Sequence, residues 1–414
     1  MFTASQFDSF TLRAHPRGES MRRVLAAAFN AARADEALRG YLARHPLPAA
    51  RRVFALGLGK ASPAMMTALA ESTQPAEMLI VAKHAAPYPQ NAQLVLGNHP
   101  IPGEGSLQAG RAAQKFLSQL TPQDLLVCLI SGGGSALMSA PLIPLKALQA
   151  LTARLLASGA DVEQINIARR HLDALKGGGV VQAAHGARVM SHILSDVVGD
   201  ALESIASGPT APDPTRIEDA KKIAPDESLQ WRETLKPNDP IFSRVENIIL
   251  ASNRMALRAA KEAAAQEGFY AEIVEQDVKG EAREVGKRLA QKLKQAELPR
   301  PFCLLAGGET TVTVRGDGAG GRNQETALAA ACELRGEENV VFISIATDGE
   351  DGATRAAGAA ANGQSAARAE ALGLYADDFL RRNDSYHFFS PLHDLLQPGA
   401  SGTNINDLIL MFGF

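Results

Sequence analysis

The chain has 414 residues, 46% of them hydrophobic and 21% charged, with 36 glycines and a formal net charge of −3. That length exceeds one ordinary core and points to two or three domains, while the composition excludes a disordered or collagenous chain and offers no basic field for nucleic acid or an anionic membrane. The three separated cysteines, Cys128, Cys303 and Cys332, rule out a disulfide framework and the usual cysteine-based zinc spacings, and fit a reducing, cytoplasmic setting.

The opening MFTASQFDSFTLRAHPRG has no apolar run of signal-peptide type, so no such leader is expected, and later apolar runs are too short to span a membrane. Residues 20 to 44 read as one amphipathic helix, with Val24, Leu25, Ala28, Phe29 and Ala32 at three-and-four spacing behind Ser20. Val53 to Leu58 is a short continuous apolar run, the mark of a strand buried on both faces of a parallel sheet. The pattern returns at Met78 to Ala82, Leu125 to Ile130, Val189 to Leu194, Ile248 to Ala251, Phe302 to Ala306 and Val340 to Ala346. Helical periodicity lies between them, over 106–120, 144–158, 162–176, 253–267 and 281–295, and Thr310 to Arg315 alternates like a half-exposed strand. This alternation predicts an α/β architecture with largely parallel sheets. The polar stretch from Asp226 to Phe242, with Lys236-Pro237-Asn238-Asp239-Pro240, is the expected boundary, giving domains 1–240 and 241–414. Glu297 to Pro301 is a second thin spot.

Glycines cluster just after the apolar runs, where ligands bind in open α/β sheets. Gly57-Leu58-Gly59-Lys60-Ala61-Ser62 resembles a dinucleotide fingerprint, with Glu77 roughly where an acidic ribose ligand stands, but Ser62 replaces the third glycine. Lys60 reads either as a phosphate-facing ammonium or as an exposed lysine in a plain turn. Ser131-Gly132-Gly133-Gly134-Ser135 suits a nest of amides around a phosphate or carboxylate. Lys176 leads three more glycines behind Asn166, Arg169, Arg170 and His171, whose bland reading is a solvated helix face with a glycine cap. Asp196 and Asp200 stand behind a strand, as oxygen ligands of Mg²⁺ do and as ordinary turns do. The second half carries Gly307-Gly308-Glu309, a four-glycine loop into Arg322-Asn323-Gln324-Glu325, and Asp348 in Thr347-Asp348-Gly349. Arg322 falls in a first helical turn, where the dipole disfavours a cation unless an anion is present. Lysine, arginine, glycine loops and carboxylates, without a Cys/His metal set or a serine-hydrolase elbow, are the parts of phosphoryl transfer.

In this order the motifs resemble the class II glycerate kinases, a family whose members have often been labelled hydroxypyruvate reductases. The match runs through Gly57 to Ala61, Ser131 to Ala136, Lys176-Gly177-Gly178, Ser195 to Thr210 and Ser252-Asn253. It continues through Gly307 to Glu325, Thr347 to Gly358, Asn383 to Phe388 and Gly402 to Leu408. The resemblance implies a Rossmann-like first α/β domain and a smaller mixed-sheet α/β second domain with a MOFRL-like module over about 301–414, and an active site in the cleft between the domains. It implies ATP-dependent phosphorylation of D-glycerate at the 2-hydroxyl, with ATP as co-substrate and Mg²⁺ as metal. Lys60 and Arg322 fall on the family's phosphoryl-transfer cations, and Asp196 on an acidic residue near the site with metal or substrate-hydroxyl work.

Gly59, Ser131, Gly132, Gly133, Gly134, Ser135, Lys176, Gly307, Gly308, Glu309, Asn323 and Asp348 are the expected contacts to substrate or nucleotide phosphate. Arg355 departs from the family's acidic residue at its position. A small-molecule substrate, no nucleic-acid or membrane partner and a homodimer complete the expectation. The competing readings are an NAD(P)H-dependent hydroxypyruvate reductase and a carboxylate- or sugar-phosphate-binding regulator.

Overall fold

Residues 1–226 and 228–414 are described in the computed structural model, and they form two six-stranded sheets. The first contains β1 (Val53–Leu58), β2 (Glu77–Ala82), β3 (Gln93–Leu96), β4 (Leu125–Ile130), β5 (Arg188–Leu194) and β6 (Val245–Ala251), in the order β3-β2-β1-β4-β5-β6. β1 runs parallel to β2 and β4, β2 to β3, and β4 to β5. Every residue of β4, Leu-Leu-Val-Cys-Leu-Ile, is buried, which is why the sequence there is continuously apolar rather than alternating. In this doubly wound order the chain reverses direction across the sheet between β1 and β4, so the loops after those strands are where a ligand of such a sheet is expected.

The second sheet contains β7 (Tyr270–Val278), β8 (Phe302–Gly308), β9 (Val340–Ala346), β10 (Gly358–Asn362), β11 (Leu395–Leu396) and β12 (Asp407–Gly413), in the order β11-β10-β9-β12-β8-β7. β12 is antiparallel to both β8 and β9, and β10 to β9 and β11, while β7 is parallel to β8, so this sheet is mixed.

The chain divides into two compact units, Ala34–Leu250, and Met1–Arg33 together with Ala251–Phe414. The single boundary expected near residue 240 is therefore two. β6 lies beside β5 in the first sheet, so the chain leaves that unit about ten residues later than the proline-rich stretch suggests. The N-terminal segment joins the unit formed by the C-terminal half. Helix Gly18–Ala31 packs on helix Asn253–Gln266, and Phe7 meets Phe29 edge-on at 4.8 Å. Buried Asp394 accepts from the Thr11 amide (2.7 Å) and hydroxyl (3.0 Å) and from Arg368 (2.7 Å). Arg23 forks onto Glu267 at 2.6 and 2.7 Å.

Three expected elements differ. The helix read over 20–44 is two, Gly18–Ala31 and Ala34–Arg44, and the unit boundary falls at the break. The helix read over 162–176 stops at His171, because Asp173 turns out to bridge Pro141. Thr310 to Arg315 is not a strand. Thr311 alone bridges Glu281, and the Thr313 amide takes the Glu281 carboxylate (2.9 Å) where a ladder partner would stand. Among the described residues no helix is long and apolar enough to cross a membrane.

Phe29 is fully buried, so Phe29→Ala is expected to cost about 3–5 kcal/mol. Hydrogen exchange locates the loss: protection should fall in β8, β9 and β12 and stay unchanged in β1 and β4. Equal loss in both sheets contradicts the assignment of residues 1–33.

Candidate active site

At the C-terminal edge of the first sheet the loops after β1 and β4 are stitched together. The Ser131 amide donates to Leu58 O (2.8 Å), the Lys60 amide to Gly132 O (3.0 Å), and the Ala61 amide to the Ser131 hydroxyl (3.0 Å). Gly59 has a φ of +114°, and a Cβ there would lie 2.3 Å from Ser131 O, so only glycine permits this approach. Gly133, at φ +87°, turns the second loop into the short helix Gly134–Leu137. The Asp196 carboxylate, after β5, lies over this loop, 2.2 Å from where a Gly132 Cβ would stand. Ser135 and Ser207 share a hydroxyl–hydroxyl hydrogen bond of 2.7 Å. Six of the expected residues, Gly59, Lys60, Ser131, Gly132, Gly133 and Asp196, are thus brought together at the switch point. Lys60 is exposed, and its ammonium has no hydrogen bond or ion pair among the described residues.

Two neighbours were not singled out from the sequence. Lys83 follows β2 directly, and the ring of His99 packs on Gly133, its Nε2 3.4 Å from the Cβ position. Burial, together with Lys60 and Lys83, lowers the pKa of His99, so its imidazole is neutral at pH 7. Position in sequence gives no local signal for either, since each stands alone in a polar loop.

The dinucleotide reading fails on the same geometry. Ser62 donates to Gly59 O (2.8 Å), sealing the loop from within. Glu77 opens β2 and so stands at the opposite sheet edge from the site where a ribose-binding acid belongs, whereas the position after β2 holds Lys83.

Lys176 does not share the exposure of Lys60. It is buried, donating to Met138 O (2.9 Å) and Asp173 Oδ2 (3.1 Å), and burial lowers its pKa against the pull of Asp173. Arg170 and His171 are fully buried, not a solvated face. Arg170 pairs with Asp213 at 3.1 Å, and the His171 nitrogens meet Arg232 O (2.9 Å) and the Thr215 hydroxyl (3.2 Å).

In the second unit Arg322 opens helix Arg322–Glu333. Its Nε and Nη2 fork onto Asp407 at 2.7 and 3.0 Å, and Nη1 pairs with Glu309 at 3.0 Å. Burial works against its charge, but Asp407 and Glu309 outweigh that and raise its pKa. The anion that the dipole argument called for is therefore supplied by the protein. Asn323 is also turned inward, donating to Asp407 (2.8 Å) and accepting from Ser344 (2.7 Å), which makes it an orienting residue. Asp351 accepts from the amides of Asn323 (3.1 Å) and Gln324 (2.8 Å), so a carboxylate already occupies the helix N-terminus.

Gly307 and Gly308 lie inside buried β8. A Cβ would meet Asn253 Oδ1 at 2.1 Å and Val278 O at 2.2 Å, so packing explains both glycines. Asp348 is half-buried and caps its own turn through the Glu350 amide (3.1 Å), and Arg355 is exposed. Asp351 and Asp407, the carboxylates that organise this cluster, were missed in the sequence because they reach the helix from 27 to 85 residues away.

Burial raises the Asp351 carboxyl to about 6, with Asp407 adding to the effect and the Gln324 and Asn323 amides opposing it. A raised folded pKa favours the protonated form. The group's contribution to stability is thus complete below the unfolded value of 3.8 and lost as pH rises through 6. The stability of the wild type relative to Asp351→Asn is expected to fall by about 3 kcal/mol between pH 3.5 and 7, measured by urea denaturation of both proteins. A difference that rises with pH contradicts the assignment.

A family model described as a domain of unknown function, DUF4147, matches residues 20–237, and the MOFRL family model matches 302–407. The chain is 40% identical to a D-glycerate 2-kinase of Thermotoga maritima over 75% of this chain and 78% of that protein. It is 35% identical to a glycerate 2-kinase of Pyrococcus horikoshii over 87% of each. A crystal structure of a Thermotoga maritima glycerate kinase superposes with a TM-score of 0.88 at 36% identity, covering 95% of this chain and 98% of that one. The two sheets, the motif order and these relatives agree: the chain belongs to the class II glycerate kinase family.

Proposed function

We propose that this protein phosphorylates D-glycerate at its 2-hydroxyl, with ATP as phosphoryl donor and Mg²⁺ accompanying the nucleotide. The observation that carries the reading is Lys60, an exposed ammonium without a partner among the described residues, held at the switch point by the stitched glycine loops. Transfer of a phosphoryl group needs charge neutralised at a fixed place more than it needs covalent chemistry. The names of the relatives, D-glycerate 2-kinase and glycerate 2-kinase, support the substrate.

Lys60 is assigned to the transferring phosphoryl group, and the loop Ser131 to Ser135 to anionic oxygens beside it. Arg322, held stiffly by Asp407, is assigned as the second catalytic cation; Glu309, the more exposed of its two carboxylate partners, is the one that gives way to an anion. Among the described residues no three Asp, Glu, His or Cys side chains form a metal cage. Mg²⁺ commonly keeps its waters and binds through one or two carboxylates plus nucleotide phosphates, a role that the Asp196 carboxylate over the glycine loop fits. Asp196 is the carboxylate assigned to it, and the ion would supply charge neutralisation on the phosphates. Against the reductase stand Ser62 and Glu77, neither of which is where a dinucleotide needs it.

The test is a pair of coupled assays on the purified protein. D-glycerate with ATP and Mg²⁺ is expected to yield ADP, and hydroxypyruvate with NADH or NADPH to leave the nicotinamide unoxidised. Lys60→Met is expected to lower kcat by about 10²–10³ with the fold intact. The absence of ADP with every small hydroxy acid sinks the kinase, and full turnover by Lys60→Met removes that lysine from the mechanism.

A further inference from the structure

Behind the glycine loop lies a cluster whose charges do not balance. Arg169, Lys176 and Arg232 gather around one carboxylate, Asp173, which is also held by the Ser139 hydroxyl (2.6 Å) and the amides of Ala140 (3.0 Å) and Leu175 (2.9 Å). Lys176 takes that carboxylate, at 3.1 Å. Among the described residues Arg232 donates to neutral acceptors alone, Lys176 O (2.8 Å) and the Gln182 side chain (3.2 Å). Arg169 donates to nothing: its Nε is buried without a partner, and no hydrogen bond or ion pair reaches its guanidinium among the described residues. Burial accordingly lowers the pKa of both arginines, with Asp173 the opposing influence in each case.

A guanidinium whose Nε is enclosed without an acceptor is costly, and the cost falls when an anion arrives. Arg169 is half-buried and, with Ser135, Ser139, Pro102, Asp173 and Lys176, lines a small recess too tight to admit a water molecule, so an anion meets it at the mouth. Ser135 belongs to the loop that receives the Lys60 amide through Gly132, so the recess adjoins the proposed phosphoryl-transfer site through one short stretch of chain. The planar fork of arginine matches a carboxylate with two parallel hydrogen bonds, which a lysine cannot do.

We infer that Arg169 is the substrate-carboxylate receptor, binding the carboxylate of a 2-hydroxy acid at the mouth of this recess with the Ser135 hydroxyl beside it. This rests on the kinase reading for the identity of the acid. The pair Lys176–Asp173 fixes the floor of the recess, and Arg232, tied to the Lys176 carbonyl, holds the following turn. Selection for an acid over a neutral polyol then follows from the surplus positive charge, because an uncharged analogue leaves the charge of Arg169 unanswered.

The test measures binding and turnover separately. Calorimetry of the wild type with D-glycerate and with its uncharged amide, D-glyceramide, is expected to show a preference of at least about tenfold for the acid. In Arg169→Met that preference should vanish, and KM for D-glycerate should rise about 10–100-fold while KM for ATP stays within about twofold. Arg169→Lys keeps the charge without the fork and should recover part of the loss, which also covers failure of the methionine variant to fold. An unchanged KM for D-glycerate in both variants overturns the inference, as does a parallel rise in both KM values or wild-type affinity for acid and amide alike. Binding of D-glycerate without ADP formation refutes the kinase reading instead, and the inference is then decided by the acid-to-amide preference alone.

Discussion

The site depends on how closely two strand-end loops can approach. Across the switch point of the first sheet, the loop after β1 and the loop after β4 exchange backbone hydrogen bonds through Leu58, Lys60, Ser131 and Gly132. Gly59 makes this possible, since any side chain there would strike the Ser131 carbonyl. Once the loops are stitched, the Lys60 backbone cannot wander, and the Asp196 carboxylate has a bare glycine surface to lie on. Positioning of this kind precedes the ligand, so less ordering remains to be done when an anion binds.

The cations divide by whether the protein has already answered them. Lys176, Arg170 and Arg322 are each matched to a carboxylate, in Asp173, Asp213 and Asp407, and such pairs fix geometry more than they add stability. Lys60 and Arg169 are not matched. In the second unit the helix N-terminus at Arg322 is taken by Asp351 and the arginine is restrained by Asp407, which leaves the more exposed Glu309 as the partner that an anion replaces. Of the cations in these motifs, the two without a carboxylate among the described residues lie at and behind the glycine loop of the first unit, where the proposed chemistry needs an anion to be met.

Much of this was legible in the sequence, for identifiable reasons. Strands buried on both faces, such as Leu125–Ile130, announce themselves by continuous apolar runs, and the glycines at 59 and 133 mark places where a side chain is sterically excluded. The family resemblance carried the two-sheet architecture. Edge and mixed-sheet strands were less visible. β7 is rich in charged residues and β10 is Gly-Ala-Ala-Ala-Asn, so neither shows the run of large apolar residues that was sought. Charge partners were the least legible. Whether Lys176 or Arg322 is paired depends on Asp173 and Asp407, and nothing local to a lysine or an arginine reports a carboxylate delivered by the fold. The same blindness made Arg170 and His171 read as solvent-facing when both are buried. The N-terminal segment joins the far half of the chain for a similar reason, because Phe7 and Phe29 bury themselves but carry no sign of which core receives them.

The central claim is that a lysine fixed by stitched glycine loops moves a phosphoryl group onto the 2-hydroxyl of an acid. Phosphorus NMR of the wild-type reaction with D-glycerate, ATP and Mg²⁺ tests it most directly, since the position of the new phosphate is read from its coupling to carbon-bound protons. The account predicts a doublet from the single proton at C2, growing with the ADP signals. A triplet from the C3 methylene places the phosphate on the other hydroxyl, and a spectrum showing only ATP contradicts the account altogether.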